Sequence, residues 1–130
     1  METNLRTGLV ILGLALMATG CGGSAPPPIA VTGKVLFDGK PMSDGDIYFH
    51  PTDGRVPVQS KILDGRYTIK PSPGEYRVAI QQERDSGTKN MYGDPQMTST
   101  VAPRYNSDTG LNATVTADGP NAFDFEVHSR

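Results

Sequence analysis

One cysteine, two histidines and a scatter of aspartates are nearly all that this 130-residue chain offers for reactive chemistry. Cys21, the only thiol, follows Ala18-Thr19-Gly20, small residues leading out of an apolar run that begins at Gly8. That setting suits attachment of a lipid to the sulfur: a peptidase can hold an extended small-residue segment while the thiol beside it accepts a lipid group. His50 and His128 are the candidate general bases. The period-two pattern around each points its imidazole to solvent, and no serine lies in a Gly-x-Ser-x-Gly turn or beside a histidine. Asp85, Asp94 and Asp108 could supply oxygens to a hard cation, but their spacing matches no calcium loop. Residue chemistry therefore predicts no catalytic set, no cofactor and no metal site.

The leader around Cys21 has the anatomy of an export signal. Met1 to Thr7 is short and polar and carries Arg6, and the apolar run from Gly8 through Ala18 has the length of a signal core, about 7–15 residues. A spanning helix needs about 20 residues, so the run is too short for a permanent anchor. Ala18-Thr19-Gly20-Cys21 resembles the lipobox of bacterial lipoproteins, although the box usually opens on a larger aliphatic residue than Ala18. The resemblance implies cleavage before Cys21, lipid on its sulfur, and commonly an acyl chain on the freed amine. Each buried methylene contributes about 0.8 kcal/mol, so two or three chains on one residue anchor stably where one is marginal. Lipidation also disposes of a lone thiol that would be a liability in an oxidising compartment.

The expected organisation is a signal peptide over 1–20, a lipidated cysteine with a Gly/Pro tether over 21–29, and one folded domain over 30–130. Gly22 and Gly23 are flexible and Pro26-Pro27-Pro28 semi-rigid, and the seven residues from Gly22 to Pro28 reach about 23–25 Å when extended. Gly22 is not aspartate, so the inner-membrane retention residue of proteobacterial lipoproteins is missing.

Beyond Ala30 the pattern is period two with no helical periodicity, which predicts an all-β domain. Strands are expected at 31–37, 46–50, 56–62, 66–70, 76–82, 111–117 and 121–128. Asp38-Gly39 and Asp64-Gly65 are placed for turns that need positive φ. Alternating strands with short turns predict a two-sheet antiparallel sandwich, with Glu83 to Asn106 as one long polar loop. Within that loop Tyr92 and Tyr105, flanked by Met91 and Met97, are the candidate exposed platform, with Tyr105 expected to pack the loop back onto the domain.

Val31-Thr32-Gly33-Lys34-Val35, Asp38-Gly39-Lys40-Pro41, Ile47-Tyr48-Phe49-His50-Pro51, Asp64-Gly65-Arg66-Tyr67 and Pro73-Gly74-Glu75-Tyr76-Arg77-Val78, in that order, resemble a carboxypeptidase-regulatory-like, or transthyretin-like, domain. With the lipobox, Ala102-Pro103-Arg104-Tyr105-Asn106 and the Phe-Asp-Phe-Glu ending, the chain is similar to small lipoproteins of planctomycete bacteria. The resemblance implies a seven-stranded antiparallel Greek-key sandwich of transthyretin type, used as a non-catalytic module. The urate-pathway hydrolases of that fold carry a Tyr-Arg-Gly-Ser tail, whereas this chain ends Val127-His128-Ser129-Arg130.

A net charge of −2 gives no purchase on nucleic acid. The expected function is a membrane-anchored lipoprotein of the cell envelope, outside the cytoplasm, which displays a binding module to another envelope protein or a polysaccharide. The alternatives are a small hydrolase or metal-dependent site using His50 or His128, and a purely structural surface component.

Overall fold

The computed structural model describes residues 26–130, so the leader and Cys21 lie outside the described residues. The described chain is all-β. Its strands are β1 (Val31–Phe37), β2 (Lys40–Pro41), β3 (Asp44–Pro51), β4 (Val58–Leu63), β5 (Arg66–Ile69), β6 (Gly74–Gln81), β7 (Glu83–Lys89), β8 (Pro95–Ser99), β9 (Leu111–Val115) and β10 (Phe125–Val127). Eight form one sheet in the order β10-β1-β5-β4-β3-β6-β9, with β2 on β1, and β7 pairs with β8 apart from it.

The turns do what their residue types allow. Asp38 and Gly39, and Asp64 and Gly65, all have positive φ, which is the geometry of a tight turn whose twist matches the flanking strands. At the other end of the sheet the Tyr76 hydroxyl donates to the Ser72 carbonyl at 2.6 Å, pinning the start of β6 four residues back.

The sheet curls until its two ends share one core. Val31 and Val35 of β1 and Val127 of β10 are buried in the same cluster as Ile47 and Phe49 of β3, Val78 and Ile80 of β6, and Val115 of β9. Phe49 is the largest fully buried side chain, with Tyr76 and Tyr67 rings 5.6 and 6.3 Å from its own. Among the described residues no buried side-chain nitrogen or oxygen lacks a hydrogen-bond partner.

Each segment expected to be a strand contains one, with three departures. The span from Glu83 to Asn106 is not a loop: it holds the β7–β8 hairpin and a 3-10 turn, Pro103–Tyr105. All of β7 is exposed on both faces, so it carries no inside-outside alternation to betray it. The second departure is direction, since β10 runs parallel to β1, with Val35 opposite Phe125 and Phe37 opposite Val127. The third is length. The fourth strand starts at Val58 because Pro57 has no N–H to give a ladder, which leaves Val56 84% exposed. The last is regular only over Phe125–Val127, and before it the chain follows β1 through Thr32 N–H to Asn121 O, Phe123 N–H to Thr32 O and Lys34 N–H to the Asp124 carboxylate.

Entry and exit points give the domain two distinct ends. Ile29 donates its N–H to Pro71 O at 2.7 Å and packs against the core, and the Ser72 hydroxyl donates to Pro26 O at 3.0 Å. The segment before β1 is thus fastened to the β5–β6 corner. The β7–β8 hairpin leaves from the opposite end, where β6 finishes at Gln81.

Its root is clamped there. The buried Gln82 side chain donates to Asp44 O at 2.8 Å and accepts the Thr100 hydroxyl at 2.7 Å, while the Arg84 guanidinium bonds both oxygens of the Asp44 carboxylate. Arg84, followed by the Ser43 hydroxyl, holds the Asp44 carboxyl down at about 2. That lies below the unfolded value of about 3.9. The pair's contribution is therefore complete above about pH 4 and is lost as pH falls through 2. Both side chains are about half exposed, so solvent screening keeps the pair's contribution small. In urea melts Arg84→Met should be slightly less stable than the parent at pH 7, and the difference should close as pH falls below 2.

Candidate functional site

Alternate residues of β3 divide between core and surface: Ile47 and Phe49 go in, and Tyr48 and His50 go out. The Tyr48 and His50 rings lie nearly parallel, 17° apart with centroids at 6.0 Å. Beside them Arg77 and Gln81 project from the outer face of β6, which pairs with β3 through Tyr48–Ala79 and His50–Arg77. Ala79, between Arg77 and Gln81, is small, so the sheet face dips at that point.

A wall stands over this floor. After the 3-10 turn the chain runs back across β6 as Asn106, Ser107, Asp108 and Thr109. Three contacts fix it. Asp108 N–H donates to Pro103 O at 3.0 Å, the Thr109 hydroxyl donates to Val78 O, and Leu111 N–H donates back to the Thr109 hydroxyl at 3.1 Å. Tyr105, half-buried, packs against the core with the Arg104 guanidinium 5.0 Å above its ring. Floor and wall enclose an open groove of about 860 Å³, within the size range of small-ligand sites. A smaller depression of about 270 Å³ shares Tyr48 and Gln81 and continues past Lys61 to the exposed Leu63.

The groove is polar and balanced in charge. Arg77 and Asp108 are its cation and its anion, and neither forms an ion pair among the described residues. The side chains of Gln81, Asn106 and Ser107 likewise make no hydrogen bond to the described residues. These groups are available for a ligand.

The two histidines have different surroundings. His50 is exposed in the groove and shares it with Asp108, but no hydrogen bond orients its imidazole among the described residues. His128 is half-exposed, with Nδ1 3.3 Å from the Asp38 carboxylate, Nε2 4.0 Å from Glu126, and its ring 6.1 Å from that of Tyr105. Ser129 N–H, with His128 adding to it, holds the Asp38 carboxyl below the usual carboxylate range.

Asp85, Asp94 and Asp108 belong to no cluster of three metal-ligating side chains among the described residues. Asp85 instead accepts Gly87 N–H at 2.8 Å, and Asp94 sits in the hairpin turn, its own N–H donated to the Asn90 side chain at 3.0 Å. Met91 and Tyr92 occupy the tip of that turn, 89% and 83% exposed. Sequence reasoning missed Tyr48, Arg77, Gln81 and Asn106 as groove residues. The outward alternation of β3 was the available signal for Tyr48, but nothing in the sequence shows that residues 106–109 fold across it.

Neither a family model nor a curated protein matches the sequence. Two solved structures resemble it in part. One is a 9R-lipoxygenase from Cyanothece PCC8801, with 13% identity and a TM-score of 0.40 over 78% of this chain and 16% of that one. The other is a DUF3823 family protein from Bacteroides ovatus ATCC 8483, with 19% identity and a TM-score of 0.41 over 78% of this chain and 44% of that one. No helix among the described residues is long and apolar enough to cross a membrane.

Proposed function

We propose that this chain is a bacterial envelope lipoprotein, cleaved before Cys21 and held on a membrane by lipid on that residue, which displays a non-catalytic binding domain outside the cytoplasm. On this reading the domain is a Greek-key sandwich of transthyretin type, similar to those of small planctomycete lipoproteins. Another envelope protein or a polysaccharide is what it binds. The observation that carries the proposal is the polarity of the domain. The chain arriving from Cys21 is fastened at the Pro71–Ser72 corner, and the β7–β8 hairpin leaves from the far end. An anchor at one end and free surface at the other is the arrangement that display requires.

Lipidated protein reconstituted into vesicles tests this orientation. A fluorophore placed at Thr52→Cys, in the β3–β4 turn at the tether end, should be quenched strongly by headgroup spin-labelled lipid. One at Met91→Cys, at the hairpin tip, should be quenched several-fold less. Equal or reversed quenching would contradict the proposal.

A second reading, a small hydrolase or metal-dependent site using His50 or His128, draws on the placement of His50 in one groove with Asp108 and Arg77. It lacks the oriented base-carboxylate pair that such chemistry uses. His128, which does lie near a carboxylate, is outside the groove.

A further inference from the structure

We infer that the groove across β3 and β6 is a binding site for a neutral polysaccharide, read over more than one sugar ring. The inference rests on the binding-domain reading above and names its ligand class and its site. A pyranose ring has two kinds of surface. Its C–H faces are weakly apolar and pack on aromatic rings, and its edges carry adjacent hydroxyls that each donate and accept. The groove supplies both partners. Tyr48 and His50, parallel and neighbouring on one strand face, give the aromatic surface.

Around them stand planar polar ends of both senses: the Arg77 guanidinium, the Gln81 and Asn106 amides and the Asp108 carboxylate. A planar end with two donors, two acceptors or one of each spans two adjacent hydroxyls at once. None of these four side chains is engaged by another described residue, so binding would exchange water for sugar without breaking an internal bond.

Charge and shape narrow the class. In the groove one cation and one anion cancel, and the adjoining depression adds Asp44, Asp46 and Glu83 against Lys61, so the track offers a polyanion no attraction. It is too open and too polar to take most of its affinity from apolar burial. The smaller depression that shares Tyr48 and Gln81 extends the track toward Lys61 and Leu63, which favours a chain over a single sugar. The wall that narrows the track is held by Thr109 on β6 and by Tyr105 on the core, so the site exists before any ligand arrives.

Affinity electrophoresis of the full lipidated protein, in a detergent without sugar headgroups, provides the test. Native gels are cast with laminarin, galactomannan or xyloglucan, and with polygalacturonate as an acidic comparison. At least one neutral polymer should retard the parent protein. Tyr48→Ala should weaken that retardation at least fivefold, and the exposed His50→Ala and Asp108→Ala, which leave the core untouched, should each weaken it at least threefold. Met91→Ser/Tyr92→Ser at the hairpin tip should behave as the parent. Retardation by none of the neutral polymers, retardation by polygalacturonate alone, or retardation unchanged in the His50 and Asp108 variants would overturn the inference. Such a failure in protein that still sediments with membranes removes the groove as a glycan site and leaves the anchored-display reading standing.

Discussion

With alanine at position 21 the protein is expected to lose all incorporated palmitate and to fall by more than about tenfold in the carbonate-resistant membrane fraction. Cys21 is the chain's only thiol, so no second residue can take over thioether lipidation. The apolar run that precedes it is too short to span a bilayer, which takes about 20 residues. On the proposed reading, the lipid supplies the anchorage. At about 0.8 kcal/mol per buried methylene, a second acyl chain contributes far more than the 1.4 kcal/mol that changes partitioning tenfold. Pulse labelling with alkynyl palmitate, read beside fractionation, separates the two parts of the expectation. An alanine variant that still carries label would show that the acceptor lies elsewhere.

Gly33→Ala should produce the largest loss of stability of any single methyl addition at a described glycine of the curled sheet. A Cβ at position 33 would overlap the Phe123 carbonyl oxygen and stand 2.8 Å from both the Phe123 carbonyl carbon and Tyr67 Cε1. The Phe123 oxygen cannot retreat cheaply. It accepts the Tyr67 hydroxyl at 2.7 Å, and the same residue donates its N–H to Thr32 O at 3.1 Å. Burial pushes the Tyr67 phenol up, so it keeps its proton and has only that carbonyl to give it to. Relief of the overlap peels residues 121–124 off β1 and strands polar groups at the edge of the core. Overpacking and lost hydrogen bonds together should cost about 3 kcal/mol or more. In a domain of this size that lowers Tm by more than about 10 °C. Gly110→Ala is the control: a Cβ there meets nothing within 4 Å, and its effect should stay within about 0.5 kcal/mol. A Gly33→Ala variant as stable as that control would refute the packing of the C-terminal segment described above.

Gly33 also shows where the sequence stops being legible. In Val31-Thr32-Gly33-Lys34-Val35 the alternation is plain, and it identifies Val31 and Val35 as core residues, which they are. Nothing in that pentapeptide reveals that a second segment, ninety residues on, lies against the glycine. Local pattern reports which face is buried, whereas pairing direction depends on how the chain returns, so the parallel β1–β10 contact was invisible. The β7–β8 hairpin was hidden for a different reason. Period two is written by burial, and a hairpin wet on both faces has none to write. Its turn is built by one asparagine, Asn90, whose side chain accepts the N–H groups of Tyr92 and Asp94 at 2.9 and 3.0 Å. The Asp-Gly turns, by contrast, were readable because positive φ at successive residues restricts residue type.

The groove divides along the same line. Its floor follows from the outward phase of β3 and β6. Its wall follows from the path of residues 106–109, which is set by a threonine bond to a strand carbonyl thirty-one residues earlier. By its strand phase alone His50 is a solvated strand residue, and it is exposed. It gains meaning only beside Tyr48, Arg77 and Asp108, which the fold brings to it.

Anchorage through Cys21 is the claim on which display depends, and the mass of the mature N-terminal peptide tests it most directly. Protein purified from its own host and digested in detergent should yield an N-terminal peptide beginning at Cys21 and heavier than its sequence by a diacylglyceryl group, with or without a further acyl chain on the amine. A mature chain that begins at any other residue, or one that begins at Cys21 with a free thiol, would contradict the account.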